Sequence, residues 1–455
     1  MSDLPPGWVS ASFGDLMAPE LNSLTDGPFG SKLKTAHYVA DGPRVIRLGN
    51  IGVGDFLGDD EAHITNEHYA TLLKHRVFAG DLLIAGLAYP VGRCCIAPDG
   101  LGAAIVKADC FRAKPHPNVS NAYLMRYLNS PQGQAELEAN SHGLGRLRIN
   151  LRDLKAVDVP LAPAAEQRRI VAKLDSLFER TRRAREELSQ IPRLIEHYKK
   201  AILEAAFRQA QDASDRNAPL GELAVEVRNG LSKKPADSPP GTPILRISAV
   251  RPMAVNLVDR RFYPTDEEVS ERAFLEDDDL LFTRYNGNPE FVAVCGKVTN
   301  LSEPTTYPDK LIRVRLSGDI LPGYAELVCS TPQAREALRP FIKTAAGQHG
   351  ISGKDLKQLE IPVPALELQE QINAKAREQL SGISDVVNQA NLAGQLLHHL
   401  DQANLAKAFR GELVPQDPND EPASVLLERI RAARAEHPKP TRKRRGTPAK
   451  AGEAA

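Results

Sequence analysis

The sequence predicts an α+β chain: two mixed α/β globular domains joined by two long helices packed as an antiparallel coiled coil, with an internal pseudo-twofold repeat. Three observations predict it. An order-preserving repeat divides the 455 residues into two halves about 200 residues apart. Each half opens with short β-like runs bounded by Gly and Pro. Each half closes with a charged segment whose apolar residues recur in steps of four and three.

The repeat is clearest at a proline-to-helix junction. Residues 159–170 read VPLAPAAEQRRI and residues 361–372 read IPVPALELQEQI, an offset of 202. Proline biases the residue before it toward extended structure and commonly stands just ahead of a helix. Other pairs keep the same order: VIRLGNI (45–51) with ILRISAV (244–250), and AGDLLIA (79–85) with DDDLLFT (277–283). INLRDLKAVDVP (149–160) matches ISGKDLKQLEIP (351–362), and KAILEAAFR (200–208) matches QANLAKAFR (402–410).

Composition narrows the class. Hydrophobic residues make up 42% and charged residues 25%, as in soluble globular proteins. No apolar run approaches the roughly 20 residues that span a bilayer. The N-terminal MSDLPPGW lacks the basic and apolar regions of a signal peptide, so a cytoplasmic protein is expected. Of five cysteines only Cys94 and Cys95 are adjacent, and no CxxC pair suggests zinc, so buried reduced thiols are expected. A net charge of zero neither requires nor excludes a polyanionic partner, because such binding needs positive charge on one face only.

Taken in order, residues 1–163 read as the first globular domain, with strands in RVIRLGNI, DLLIA and AAIVKA and a short helix in NAYLMRYLNS. Residues 164–210 read as a helical spacer. Its seam is Ile170, Leu174, Leu177, Thr181, Ala184, Leu188, Ile191, Ile195, Tyr198, Ile202 and Ala205, with charged residues between, a heptad pattern. Pro192 removes one helical hydrogen bond at about 3 kcal/mol, which predicts a kink or short break near residues 188–192. Residues 211–218 read as a linker and 219–364 as the second domain, with strands in PILRISAV, DLLFT, FVAVCGKV and KLIRVRL and a short helix in PGYAELVCS. Residues 365–412 repeat the spacer, with a weaker seam in phase through Ile372, Ile383, Val386, Leu397 and Leu400. A short helix within 413–434 carries an apolar face (Val425, Leu426, Leu427, Ile430) that suits a partner subunit or this chain itself. The basic, Pro-rich tail 435–455 is expected to be disordered.

Two similar domains at fixed separation suit a ligand with two sites at fixed separation, and duplex DNA is one, with same-face half-sites roughly 34 Å apart. Base reading calls for Arg, Lys, Asn or Gln on exposed loops, and phosphate contact for Lys and Arg. In the first half the candidates are Ser31, Lys32 and Lys34 in GPFGSKLK, and Arg146 and Arg148 in SHGLGRLRIN. In the second they are Lys233 and Lys234 in NGLSKKP, Arg284, Tyr285, Asn286 and Asn288 in TRYNGNP, and Gln348 and His349 in AGQHG. For each of them a solvated surface charge or a turn former is the competing reading. Arg47 and Arg246, inside strand-like runs, read as structural partners of a carboxylate.

Catalytic motifs fail by residue. Asn288-Pro289-Glu290-Phe291 has Glu where an amino-methyltransferase motif needs a second proline, and no Gly-rich cofactor loop precedes it. GQHGISGKD (347–355) has Gln348 in place of the first glycine of a phosphate loop and Asp355 in place of Ser/Thr. Asp277, Asp278 and Asp279 align with Ala79, Gly80 and Asp81, which favours a strand-capping turn over a metal site. Asp153 and Asp355 both sit at the repeated junction and read as helix caps.

The junctions with their Glu-Gln or Leu-Gln pair, together with AFRGELVPQDPNDEPASVLLERI (408–430), resemble the specificity subunits of type I restriction–modification enzymes. DGPFGSKLK (26–34) and TRYNGNPEFV (283–292) resemble segments of their target-recognition domains, and the likeness extends to about residue 435. The resemblance implies a non-catalytic subunit that binds a bipartite asymmetric sequence in double-stranded DNA, one half per domain. It implies two methyltransferase subunits docked on the helices, which methylate adenine with S-adenosylmethionine. Two motor-nuclease subunits using ATP and Mg would complete a restriction complex, and helix length would set the number of unread bases. Two alternatives share the pattern: a targeting subunit of a methyltransferase or nuclease system outside type I, and a coiled-coil scaffold with no DNA role. The strong divergence of the two domains argues against the scaffold.

Overall fold

The computed structural model describes residues 4–143, 145–264, 269–345 and 347–436; most of the basic tail lies outside the described residues. The chain forms two units, residues 1–186 with 393–455 and residues 187–392. Each holds one globular domain and a stretch of both long helices, Ala164–Asp212 and Leu366–Ala408.

In the first unit, strands Leu24–Asp26, Cys110–Ala113, Leu82–Ala85 and Cys94–Ile96 pair antiparallel in that spatial order. All four residues of Leu82–Ala85 are buried because both faces of the strand are covered. Leu82 and Ile84 enter the core under the helices, while Leu83 and Ala85 enter a second core. That is the period-two alternation of a strand, and it explains why DLLIA reads as continuously apolar. A second sheet runs His63–Ile64, Tyr38–Ile46, Ala104–Val106, Arg76–Val77, with Tyr38–Ile46 parallel to Ala104–Val106. Val9–Ser12 pairs with Asp158–Leu161 just ahead of the junction.

The second unit repeats the first sheet strand for strand and the second sheet in reduced form. Ala224–Asn229, Leu311–Leu316, Leu280–Thr283 and Cys295–Lys297 form the matching sheet. Leu280 and Phe282 face one core, Leu281 the other. Thr242–Leu245 pairs with Arg260–Tyr263, and Thr306 bridges Ile244 in parallel and Phe274 antiparallel, echoing the second sheet of the first unit. Asn217–Pro219, which straddles the boundary between the stretch read as linker (211–218) and the second domain, pairs with Glu360–Pro362.

The repeated acidic turns cap strands and also bury an ion pair. Asp81 accepts from Phe78 N at 2.9 Å and Asp279 from Glu276 N at 2.8 Å. Asp81 pairs with buried Arg112 at 2.6 Å, and Asp279 with Arg315 at 2.8 Å and the fully buried Arg313 at 3.9 Å. Arg47 pairs with Asp60, and its repeat Arg246 with Asp237 and Asp259. Asn150 caps Leu151–Ala156, and Ser352 with Asp355 forms a capping box on Gly353–Leu356. In the first unit the cap is Asn150, and Asp153 accepts from the Asn150 side chain and lies 2.8 Å from His142.

Within the first unit the long helices run antiparallel. Ile170 and Leu174 share a core with Leu405 and Ala408, whereas Thr181 Oγ1 donates to Asp401 at 2.9 Å and Arg185 pairs with Asp401 at 2.6 Å. Within the second unit Ile191 and Ile195 line one cleft with Gln379 and Ile383. Ile202 and Ile372 are buried in that unit's core, and Leu177, Leu188 and Leu397 are half-buried.

Three features of the seam differ from the expectation. The helix Ala164–Asp212 runs through Pro192 without a break. Pro192 is exposed, so water is at hand for the carbonyl whose helical donor it removes. Leu400 is 48% exposed and stands off the seam, whereas Val386, 47% exposed, lines the rim of the cleft shared with Ile191 and Ile195. From Leu397 the inward residues are Asp401, Leu405 and Ala408, steps of four, four and three. Eleven residues in three turns is about 3.67 per turn, the period of a nearly straight helix and not the 3.5 of a strict heptad. Tyr198, 51% exposed, stands at the rim of the same cleft, and past it the helix buries Ala206 and Ala210 where the heptad steps to the exposed Ala205.

The helix Ala423–Glu436 packs on this chain. Ala423, Leu426, Leu427 and Ile430 are buried in the core that holds Trp8, Phe13 and Leu16. Arg434 and Arg431 lie 3.3 and 3.8 Å from Asp15, and Ala423 N donates to the Gly7 carbonyl. The apolar face is therefore taken, Val425 being half-buried, and what this helix leaves for a partner is its polar side.

Candidate nucleic-acid interface

In each unit the loop that follows the central strand pairs with a hairpin that precedes the repeated junction. In the first unit Ile149 N donates to the Gly86 carbonyl at 2.9 Å and Ala88 N to that of Leu147 at 3.2 Å, while Leu87 bridges Arg148. His142 and Arg148 exchange backbone bonds of 2.8 and 2.9 Å, closing a hairpin around Gly143 and Gly145, both at positive φ. A cleft of about 530 Å³ is lined by Leu87, His142, Gly143, Arg146, Arg148 and Asn150. Arg148 pairs with Asp109 at 2.7 Å and lies 5.9 Å from the ring of Phe29, which ties the hairpin to the loop 26–34. On that loop Ser31, Lys32 and Lys34 are exposed.

Histidines hold the loop. His68 Nε2 lies 2.9 Å from the Lys32 carbonyl, and Lys34 N donates to His37 Nδ1 at 3.1 Å. The His75 ring contacts the Asp26 carbonyl, and burial pushes its pKa below the ordinary value. Beneath the loop 86–92, Arg93 donates to the carbonyls of Ile51 and Leu48 at 2.7 and 2.9 Å, and burial lowers its pKa.

In the second unit Tyr285–Asn286, Gln348–Gly350 and Lys343–Ala345 form a three-stranded sheet, with Tyr285 opposite Gly350 and Asn286 opposite His349. Arg284 Nη1 donates to the Asp309 carbonyl at 3.2 Å and its guanidinium sits 4.7 Å from the Tyr285 ring. It is a brace. Asn286 Oδ1 accepts from Asn288 N and Asn288 Oδ1 from Glu290 N, each at 3.0 Å, so both side chains shape the turn. His349 Nδ1 lies 2.9 Å from Thr344 Oγ1. Arg335 supports the loop through the carbonyls of Glu290 and Val292, and burial lowers its pKa. Lys233 and Lys234 are exposed on a separate loop, fixed where Leu231 N donates to Tyr307 O and Asp309 N to Leu231 O.

Sequence reasoning missed Tyr89. It is 78% exposed in the turn GLAYPVG beside the first hairpin, and its only sequence signal is an aromatic next to a turn proline. Among the described residues no group of three or more His, Cys, Asp or Glu side chains is placed to hold a metal ion.

Residues 45–193 match the type I restriction modification DNA specificity domain. The type I restriction enzyme EcoKI specificity subunit of Escherichia coli is 33% identical, over 95% of this chain and 96% of its own. The chain belongs to the type I restriction enzyme specificity subunits. The StySPI specificity subunit of Salmonella potsdam is 27% identical over 95% of this chain and 96% of its own. The fold recurs in a chain of a solved type I R-M system, with TM-score 0.65, 20% identity, 91% of this chain and all of that one covered. The crystal structure of the HsdS subunit from Thermoanaerobacter tengcongensis matches with TM-score 0.55, 19% identity and 90% and 98% coverage.

Two glycines open the lysine-bearing loops of this specificity subunit at corresponding places. A Cβ on Gly27 would overlap the Lys107 carbonyl, and one on Gly230 the Tyr307 carbonyl, both backbone atoms that cannot swing away. Gly27→Ala and Gly230→Ala are each expected to cost about 1–3 kcal/mol. Urea unfolding followed by hydrogen exchange should place the loss in the unit that carries the change. A loss under about 0.5 kcal/mol would show that the backbones part freely.

Proposed function

We propose that this chain reads a two-part, asymmetric sequence in double-stranded DNA, one half with each α/β domain, and carries two methyltransferase subunits on its long helices. The observation that carries this reading is the double occurrence of one loop–hairpin arrangement with different chemistry on it. The first domain presents Tyr89, Arg146 and Arg148, the second Asn288, Gln348 and His349. One scaffold with two sets of side chains suits two unlike half-sites. The helices supply docking area: Leu194, Tyr198 and Val386 are exposed around an apolar cleft of about 430 Å³.

The chain itself is a non-catalytic recognition subunit. S-adenosylmethionine serves the methyltransferase subunits, and ATP and Mg serve the motor-nuclease subunits where these are present. Among the described residues no helix is long and apolar enough to cross a membrane, which is compatible with work on cytoplasmic DNA.

Mapping of modified adenines in cells with and without this gene, its neighbours intact, tests the reading. A split asymmetric motif should lose its methylation with the gene. Purified alone, the chain should neither transfer methyl groups nor hydrolyse ATP. Unchanged methylation, together with no sequence selection from random duplex DNA, would overturn the proposal.

A further inference from the structure

We infer that one position of the repeat, Arg146 in the first domain and Gln348 in the second, is where each domain reads a base directly, guanine by Arg146 and adenine by Gln348. The inference rests on the DNA-reading function proposed above and names the residues that discriminate.

The two positions coincide in the fold. They are 202 residues apart, the offset of the repeated junction. Each follows a glycine in the left-handed region, Gly145 with φ 79° and Gly347 with φ 76°. Three residues on, Ile149 N donates to the Gly86 carbonyl at 2.9 Å and Ile351 N to the Arg284 carbonyl at 3.0 Å. Both residues thus stand at the same place on the same hairpin, held by the same strand-end loop.

Commitment to internal bonds separates them from their neighbours. Arg148 is engaged by Asp109, Arg284 by the Asp309 carbonyl, Asn286 and Asn288 by turn amides, and His349 by Thr344. Each is held in place by that bond and has part of its hydrogen-bonding capacity taken up within the chain. Arg146 and Gln348 are exposed and make no side-chain hydrogen bond or ion pair with the described residues, so contact with DNA exchanges only water. The exposed lysines Lys32, Lys34, Lys233 and Lys234 stand on other loops, where a point charge suits phosphate contact. The chemistry at the shared position then differs in a readable way. A guanidinium spans the O6 and N7 acceptors of guanine, and a carboxamide matches the N7 acceptor and N6 donor of adenine.

The test is selection from random duplex DNA by the complex of this chain with its methyltransferase subunits, comparing wild type with Arg146→Gln and Gln348→Arg. Wild type should select a two-part motif. Arg146→Gln should lose about 10- to 100-fold discrimination for one guanine in one half, with adenine gaining, and leave the other half intact. Gln348→Arg should do the converse at one adenine of the other half. A wild-type split motif whose bases persist unchanged in both variants overturns this assignment alone. Equal relaxation of both halves by either variant also overturns it. Failure of wild type to select any motif overturns the DNA-reading function with it.

Discussion

Asp81→Ala should cost the first domain about 3–5 kcal/mol, against a total stability of roughly 5–15 kcal/mol for a domain. Arg112 is 5% exposed and its carboxylate partner is Asp81, at 2.6 Å. Its guanidinium also donates to the Asn22 carbonyl at 2.8 Å, which neutralises no charge. Truncating Asp81 leaves a guanidinium buried without a counter-ion and strips Phe78 N of its acceptor. The same change at Asp279 should cost less. There Arg313 keeps Glu226, and Arg315 keeps Glu276 at 2.7 Å. Replacing both members, Asp81→Leu with Arg112→Met, should recover most of the loss, because a buried pair exchanged for apolar groups avoids the desolvation of both charges. Denaturation midpoints of the three variants against the wild type decide it. If the double variant is as unstable as Asp81→Ala, the cost lies in the turn and not in the orphaned charge.

The strands were legible because their residues face two cores. Leu82–Ala85 and Leu280–Thr283 have no polar face to hide the pattern, and the repeat supplied each with a second reading. A lone arginine inside an apolar run also told its story, since Arg47 and Arg246 both found carboxylates at matching places, Asp60 and Asp259. The seam of the second long helix was legible only as far as Leu397. Beyond it a heptad ruler steps to Leu400, whereas the helix turns Asp401 inward, where Thr181 and Arg185 meet it. A buried polar pair does not register in a search for apolar periodicity.

At the interface, the sequence located the loops and could not rank their residues. Composition marks Arg148 and Arg146 alike, and Arg284 like Gln348. What separates them is a partner distant along the chain: Asp109 for Arg148, 39 residues away, and Asp309 for Arg284, 25 away. Such commitments depend on the register of the sheets. Tyr89 escaped because an exposed aromatic in a turn has no donor pattern that a base-reading search looks for.

The glutamine of the repeated junction should be its most sensitive residue, with Gln369→Ala costing the second domain about 2–5 kcal/mol at roughly 1–3 kcal/mol per buried group left unsatisfied. Gln369 is fully buried. Its Oε1 accepts from Leu321 N at 2.9 Å, the residue that starts the helix Pro322–Cys329, and its Nε2 donates to the Pro364 carbonyl at 2.8 Å. Gln167 does the same in the first domain, accepting from Ser120 N at 3.1 Å and donating to the Ala162 carbonyl at 2.8 Å. One side chain therefore ties the last residues of the edge strand to the start of the short helix at the point where the long helix begins. Only an amide offers an acceptor and a donor in that order, so the junction recurs with Gln while the residue before it varies between Glu166 and Leu368. Gln369→Glu should be worse than alanine, because the carboxylate would face the Pro364 carbonyl with no proton to give. Hydrogen exchange should show protection falling first in Pro322–Cys329 for Gln369→Ala and in Asn121–Leu128 for Gln167→Ala, with exposed Gln371→Ala as the reference. If the junction variants lose no more stability than Gln371→Ala, the clamp is not what the repeat preserves.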